Sequence, residues 1–411
     1  MKRRVIVFSW SRPIERSCRV PFAIHSVQLT LLIALCALSA SAQKPSAATP
    51  NFSALSAEAD RARDSNRLDD AVVSYKKALD LRPTWAAGWW SLGTILYDQN
   101  AYAEAADSFR KVVALAPKDG TAWVMLGLCE VELGQDASAL EHLEHGGGLG
   151  IAKDPQLQHV MLYHEGALLL RKGRFEAATE AFDRLCSDGV ANEDAVRALG
   201  MSALRMPGKS PPAAGPVPAG VIAQVGRAEC LAAQDKFDDA RQSYRAVVSD
   251  HPEYPNIHYA YGKFLLELHE TAAATEEFEQ EIKNNPRRVM ARLEIAAVKY
   301  RIDSAAGVPY AEEAVKLDPQ LPFGHYLLGL LLVDTKRYPE AIRELEIARP
   351  SFSGVANLYY ALGTAYSRTG RKQDAARAWA MFARLNREAG KSGPLYYGQK
   401  STGIAQEQPG R

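Results

Sequence analysis

Apolar residues recur along this chain at three- and four-residue steps, as in Ala71, Tyr75, Ala78 and Leu79. That spacing lines one face of an amphipathic helix. Pro83, Pro117, Pro252, Pro286 and Pro319 fall between one such stretch and the next, where a residue that cannot continue a helical ladder marks a stop. Shorter breaks at Asn66-Arg67, Gly134-Gln135 and Gly370-Arg371 lie between two amphipathic stretches. The pattern predicts helices in pairs, each pair joined by a tight turn and most of them closed by a proline.

A longer period overlies this one. Ala71, Ala105, Ala139, Ala178, Ala240, Ala274, Gly307, Ala341 and Ala375 form a series in which most gaps are 34 residues, one is 33, one 39 and one 62. Gly93, Gly127, Gly166, Ala228, Gly262, Gly329 and Gly363 form a second series twelve residues ahead of it. A fixed period of this size is the signature of stacked repeats, and the two small residues predict where the paired helices approach most closely. The units fall near 52–85, 86–119, 120–153, 159–192, 221–254, 255–287, 288–321, 322–355 and 356–389. The 39-residue gap predicts an enlarged loop at Gly146-Gly147-Gly148-Leu149-Gly150, a flexible helix cap. The 62-residue gap holds a predicted helix from Asn192 to Met206 and then five prolines between Pro207 and Pro218. This reads as a repeat that kept its first helix and lost its second, followed by an extended linker.

Trp89-x-x-Leu92-Gly93 with Ala105, Phe109 and Pro117 carries a recognisable motif, repeated at Trp123-x-x-Leu126-Gly127 with Ala139 and at Tyr359-x-x-Leu362-Gly363-x-x-Tyr366 with Ala375 and Trp379. Over roughly residues 52–389 the chain resembles the tetratricopeptide repeat family. The resemblance implies an all-α fold, a right-handed α-solenoid superhelix of helical hairpins, and binding of a partner peptide or protein in the concave groove. It also implies that Trp90, Tyr163, Tyr259, Tyr326 and Tyr360, one residue past the first consensus position of their units, line that groove. Lys263 and Asn357 are expected to add polar contacts there. The alternative is that these rings pack between neighbouring first helices. Some family members grip a terminal carboxylate with Lys, Arg and Asn at such positions. Here the sites are mostly aromatic and apolar, so an extended or helical segment with apolar anchors is the expected ligand.

Composition narrows the setting. The chain has 411 residues, 47% of them hydrophobic, and a formal net charge of +1. Lys2, Arg3, Arg4, Arg12, Arg16 and Arg19 precede an uncharged apolar stretch from Val27 to Leu38, and Ala40-Ser41-Ala42 supplies a small-x-small cleavage pattern. Residues 1–42 therefore read as a signal peptide, with export to the periplasm, cell envelope or exterior of a bacterium. The apolar stretch is well short of the ~20 residues of a membrane span, so no span is expected after cleavage. The expected organisation is a short linker at 43–51, an N-terminal stack at 52–206, a proline-rich linker at 207–220, a C-terminal stack at 221–389 and a disordered tail at 390–411. The chain after residue 42 holds 43 basic and 47 acidic residues, a net charge of −4. That balance argues against a nucleic-acid partner, which would require a basic face. Three cysteines remain, Cys129, Cys186 and Cys230. Their odd number and helical settings favour buried small hydrophobes over a disulfide.

Other motifs carry little chemistry. Gly208-Lys209-Ser210 has a helix before it and prolines after it, the reverse of what a phosphate loop needs. His142 and His145 are spaced for two ligands on one helix, but a metal requires a third and fourth. No nucleophile elbow or paired-cysteine motif occurs, and the repeats leave no room for a catalytic domain. The expectation is a non-catalytic scaffold without cofactor or metal. A different class remains open, an architectural or self-associating envelope protein without a dedicated ligand.

Overall fold

The structure, a computed structural model, describes residues 51–151, 154–208 and 217–391. The expected signal peptide, most of the proline-rich linker and nearly all of the expected tail lie outside the described residues. Those described form nineteen helices and no strand. In the first unit, α1 (Phe52–Asp64) pairs with α2 (Leu68–Leu81), α3 (Ala86–Asp98) with α4 (Tyr102–Leu115) and α5 (Gly120–Glu132) with α6 (Asp136–Leu149). In the second, α7 (Pro155–Arg171) pairs with α8 (Phe175–Ser187), and α9 (Glu193–Ala203) precedes α10 (Ala219–Ala233) and α11 (Phe237–Asp250). Four hairpins follow: α12 (Ile257–Glu267) with α13 (Thr271–Asn284), α14 (Val289–Ile302) with α15 (Ser304–Leu317), α16 (Pro322–Asp334) with α17 (Tyr338–Ala348), and α18 (Ala356–Arg368) with α19 (Lys372–Lys391). Each unit is an α-solenoid stack.

In four hairpins a ring and a glycine lock the two helices together. A Cβ built on Gly93 would lie 3.0 Å from Phe109, and one on Gly262 would lie 2.6 Å from Phe278. Gly166 meets Phe182 and Gly363 meets Trp379 in the same way. Phe109, Phe182 and Phe278 are fully buried, each contributing about 2–3 kcal/mol of hydrophobic stabilisation. Two hairpins use a polar version. Where alanine replaces that glycine, at Ala59 and Ala228, the ring is a tyrosine and the residue after the alanine is an acid. Tyr75 donates to Asp60 at 2.6 Å, and Tyr244 donates to Glu229. The phenol oxygens are thereby satisfied inside the lock.

A second contact ties three of the hairpins to the proline before them. The indole of Trp89 donates to the carbonyl of Pro83 at 2.8 Å, Trp123 to Pro117 at 3.0 Å, and His325 Nε2 meets the Pro319 carbonyl at 2.9 Å. Two histidines in the equivalent place also face a glutamate on the second helix, His258 with Glu277 at 2.6 Å and His325 with Glu344 at 2.7 Å. Most turns inside the hairpins hold one left-handed residue, with Asn66 at φ 57°, Gly134 at φ 73° and Gly370 at φ 75°. Asn and Gly tolerate that conformation best.

The irregular gaps resolve differently from the sequence expectation. The glycine run is helix, not loop: α6 continues through Gly146, Gly147 and Gly148 to Leu149. The reason is close packing, since a Cβ on Gly120 would lie 2.5 Å from the Gly146 carbonyl and one on Gly146 would lie 2.6 Å from the Gly120 carbonyl. The 33-residue gap arises because Asp303 alone joins α14 to α15, its side chain capping Ala306 N at 3.2 Å. Near the prolines, α9 did not lose its partner. It lies against α10, where a Cβ on Gly200 would meet the Ile222 carbonyl at 2.0 Å and one on Gly226 the Val196 carbonyl at 1.9 Å. Because α10 serves both α9 and α11, no boundary between compact units falls there. The chain divides instead between Asp154 and Pro155.

Cys186 and Cys230 form a disulfide with Cα atoms 5.2 Å apart, correcting the expectation of unpaired thiols. Only Cys129 behaves as expected, free and buried among the described residues. The pairing escaped the spacing argument because α10 sits beside α8 across an intervening helix.

Candidate functional site

Three of the expected groove residues converge in the second unit. Tyr326 on α16 is half-buried and stacks on Phe352, with ring centroids 4.7 Å apart and planes at 15°. Asn357, exposed at the start of α18, donates from Nδ2 to the Tyr326 hydroxyl at 3.3 Å. Its side chain also bonds Tyr300 of α14. Tyr360, one turn along α18, is 49% exposed and rests edge-on against Trp379 at 5.4 Å. Burial and the charge of Asp334 raise the Tyr300 hydroxyl above its ordinary range, and Tyr360 lies close enough to add to the effect. Three successive first helices thus present phenol and amide tips together. Such rings offer rigid contact area with a polar end. Sequence reasoning missed Tyr300, which sits in the last turn of its helix rather than in the aromatic series.

Tyr259 departs from the expectation. It is 3% exposed, packs on Phe278 at 5.8 Å and donates to Glu294 Oε1 at 3.2 Å. Lys263 meets the same oxygen at 3.0 Å. Glu294 is itself 1% exposed, and a buried carboxylate needs such partners to offset its lost hydration. Arg205, paired with Glu176, reaches over the Tyr259 ring at 5.9 Å. Tyr259 and Lys263 therefore serve the interior rather than open surface.

The remaining rings divide similarly. Trp90 is half-buried in the first unit against Phe109 at 5.5 Å, and Tyr163 half-buried in the second against Phe182 at 6.3 Å. In four hairpins the series aromatic contacts the ring nineteen residues later in its own second helix. This is neither of the two packings weighed from sequence, since the partner is in the same hairpin.

The histidines have structural neighbours. His142 bonds the buried Glu130 at 2.7 Å, and both His142 and His145 pack on Trp123. Burial and the charge of Arg171 push His164 down to about 4. Burial, together with the Glu267 charge, pushes Glu229 up to about 8. Among the described residues no group of three His, Cys, Asp or Glu could hold a metal ion, and no helix is long and apolar enough to cross a membrane.

A family model described as tetratricopeptide repeat matches residues 56–120, 163–256, 226–288 and 326–384, more than half of the chain. The unmatched stretches include α5–α6 and α14–α15, the hairpins with the glycine run and the single-residue turn. No curated protein matches significantly. Among solved structures, a MamA from Desulfovibrio magneticus RS-1 is 20% identical, with 42% of this chain and 96% of that one covered and a TM-score of 0.37. A tetratricopeptide repeat protein from Parabacteroides merdae is 17% identical over 68% of this chain and 98% of that one, with a TM-score of 0.31. A chain of the APC/C hetero-tetramer Cut9-Hcn1 is 12% identical over 83% and 88%, with a TM-score of 0.33. On the match to the family model, the chain belongs to the tetratricopeptide repeat family.

Proposed function

We propose that this protein is a non-catalytic scaffold of the bacterial cell envelope that binds a partner peptide or protein on the first-helix face of its second unit. The observation that carries the reading is the convergence of Tyr300, Tyr326, Asn357 and Tyr360 from α14, α16 and α18. Apolar anchors with polar tips suit an extended or helical segment. The Cys186–Cys230 bond supports export, because such bonds persist in oxidising compartments.

Capture from an envelope extract, with the wild-type protein and an Asn357→Ala/Tyr360→Ala variant side by side, tests the reading. A partner held by the wild type and lost by a variant of unchanged helicity is the expected result. Equal capture by both would move the binding surface elsewhere.

A further inference from the structure

Cys186 lies at the end of α8 and Cys230 on α10, 44 positions further along the chain, with α9 between them. Cys186 is fully buried, whereas Cys230 keeps some solvent contact. At the same junction Gln234 Nε2 donates to the Cys186 carbonyl at 3.1 Å, a polar tie beside the covalent one. On its other side the α9–α11 group is lightly held, because α11 packs on α12 less extensively than the second helices of the neighbouring hairpins pack on their successors. The residue before Cys230 is Glu229, whose carboxylate accepts from Tyr244 inside the α10–α11 lock and faces Glu267 and Lys263 of α12.

We propose that the Cys186–Cys230 disulfide is a redox-sensitive clamp that fixes α10 on α8 and is released by a dithiol reductant. One thiolate of the reductant attacks Cys230 Sγ from the solvent side. The S–S bond breaks, and Cys186 leaves as a thiolate that takes up a proton. The second thiol of the reductant then displaces Cys230 as a thiol. Two electrons and two protons pass to the protein, and the reductant ends as its own disulfide. The α9–α10 pair then opens locally while the hairpins of the first unit keep their packing. Glu229 moves with α10, so the first-helix face of the second unit changes with redox state. That last consequence rests on the interaction reading above; the clamp itself does not.

The test is hydrogen–deuterium exchange on the full chain, oxidised and with dithiothreitol, beside a Cys186→Ser/Cys230→Ser variant, with mass spectrometry scoring the bond. The expected result is exchange in 193–203 and 219–233 faster by on the order of tenfold after reduction, with 52–149 unchanged. The double variant should match the reduced protein and ignore dithiothreitol. Three results would overturn the clamp: unchanged exchange in a protein whose bond is shown to be reduced, protection lost along the whole chain, or no bond in the oxidised protein. Reading exchange rather than partner capture keeps failure of the clamp separate from failure of the binding surface. If the double variant does not fold, dithiothreitol on the wild type still decides.

Discussion

The Tyr259 hydroxyl donates to Glu294 across 3.2 Å, and the contact holds a carboxylate that is 1% exposed. Tyr360, at the same place in its own hairpin, is 49% exposed. Tyr259→Ala removes a buried ring and strips a partner from a buried charge, so it should cost about 3–5 kcal/mol. Tyr360→Ala should cost roughly 1 kcal/mol or less, as surface changes do. Urea denaturation midpoints separate the two. Equal costs would contradict the assignment of Tyr259 to the interior and Tyr360 to the surface.

Glycine is required at Gly262 by a ring and at Gly134 by the backbone. Gly262→Ala places a Cβ 2.6 Å from Phe278 and should cost about 1–3 kcal/mol by overpacking. A smaller residue at 278 should recover part of that loss in a double-mutant cycle. Gly134 has nothing within 4 Å but sits at φ 73°. Gly134→Ala should therefore cost about 1–2 kcal/mol, with no second-site rescue from packing.

Stability should fall above neutrality. Glu229 takes up its proton far more readily in the folded chain, near pH 8, than at its ordinary 4.5. Its contribution is complete below pH 4.5 and is lost as pH rises through 8. Burial raises Glu267 as well, with the same sign. His164 works oppositely: its value falls from 6.5 to about 4, so its contribution is complete above pH 6.5 and is lost on acidification. Between pH 6.5 and 8 only the glutamate slope remains of these three. Glu229→Gln should flatten the decline in melting temperature across that window, and an unaltered decline would refute the assignment.

His325 joins the Pro319 carbonyl to buried Glu344. His325→Phe should cost about 2–5 kcal/mol, because it leaves a buried carboxylate without that partner. Trp123→Phe removes the bond to the Pro117 carbonyl but leaves an aromatic ring beside His142 and His145, and should cost about 1 kcal/mol. Chemical denaturation of the two variants reads the difference.

The period was legible because close helix contact admits only small residues, so positions such as Gly93 and Ala105 recur from hairpin to hairpin. Turns at Asn66, Gly134 and Gly370 were legible because few side chains tolerate φ > 0. The resemblance singled out Tyr326, Asn357 and Tyr360 by position, whereas the hydrogen bond from Asn357 to Tyr326 appears only in the structure. The misses have a common cause, contact between residues whose proximity the period does not encode. Cys230 reaches Cys186 only because α10 lies beside α8, and Tyr259 is buried because Glu294 and Arg205 close over it. The glycine run stayed helical because Gly120 lies against Gly146. The pairs Asp60 with Tyr75 and Glu229 with Tyr244, each fifteen residues apart, share a spacing that the small-residue period does not carry.

The tether from Trp89, Trp123 and His325 to a carbonyl six residues back has a consequence for how such a chain can change. The anchoring side chain and the proline it grips belong to adjoining hairpins, while each ring-and-glycine lock closes within one. A cut made after the proline and repeated one period later removes a hairpin with its lock intact and presents the next tryptophan with an equivalent carbonyl. A cut anywhere else separates a lock from its ring or a tether from its proline. Whole hairpins, counted from proline to proline, are therefore the pieces this architecture can gain, lose or exchange.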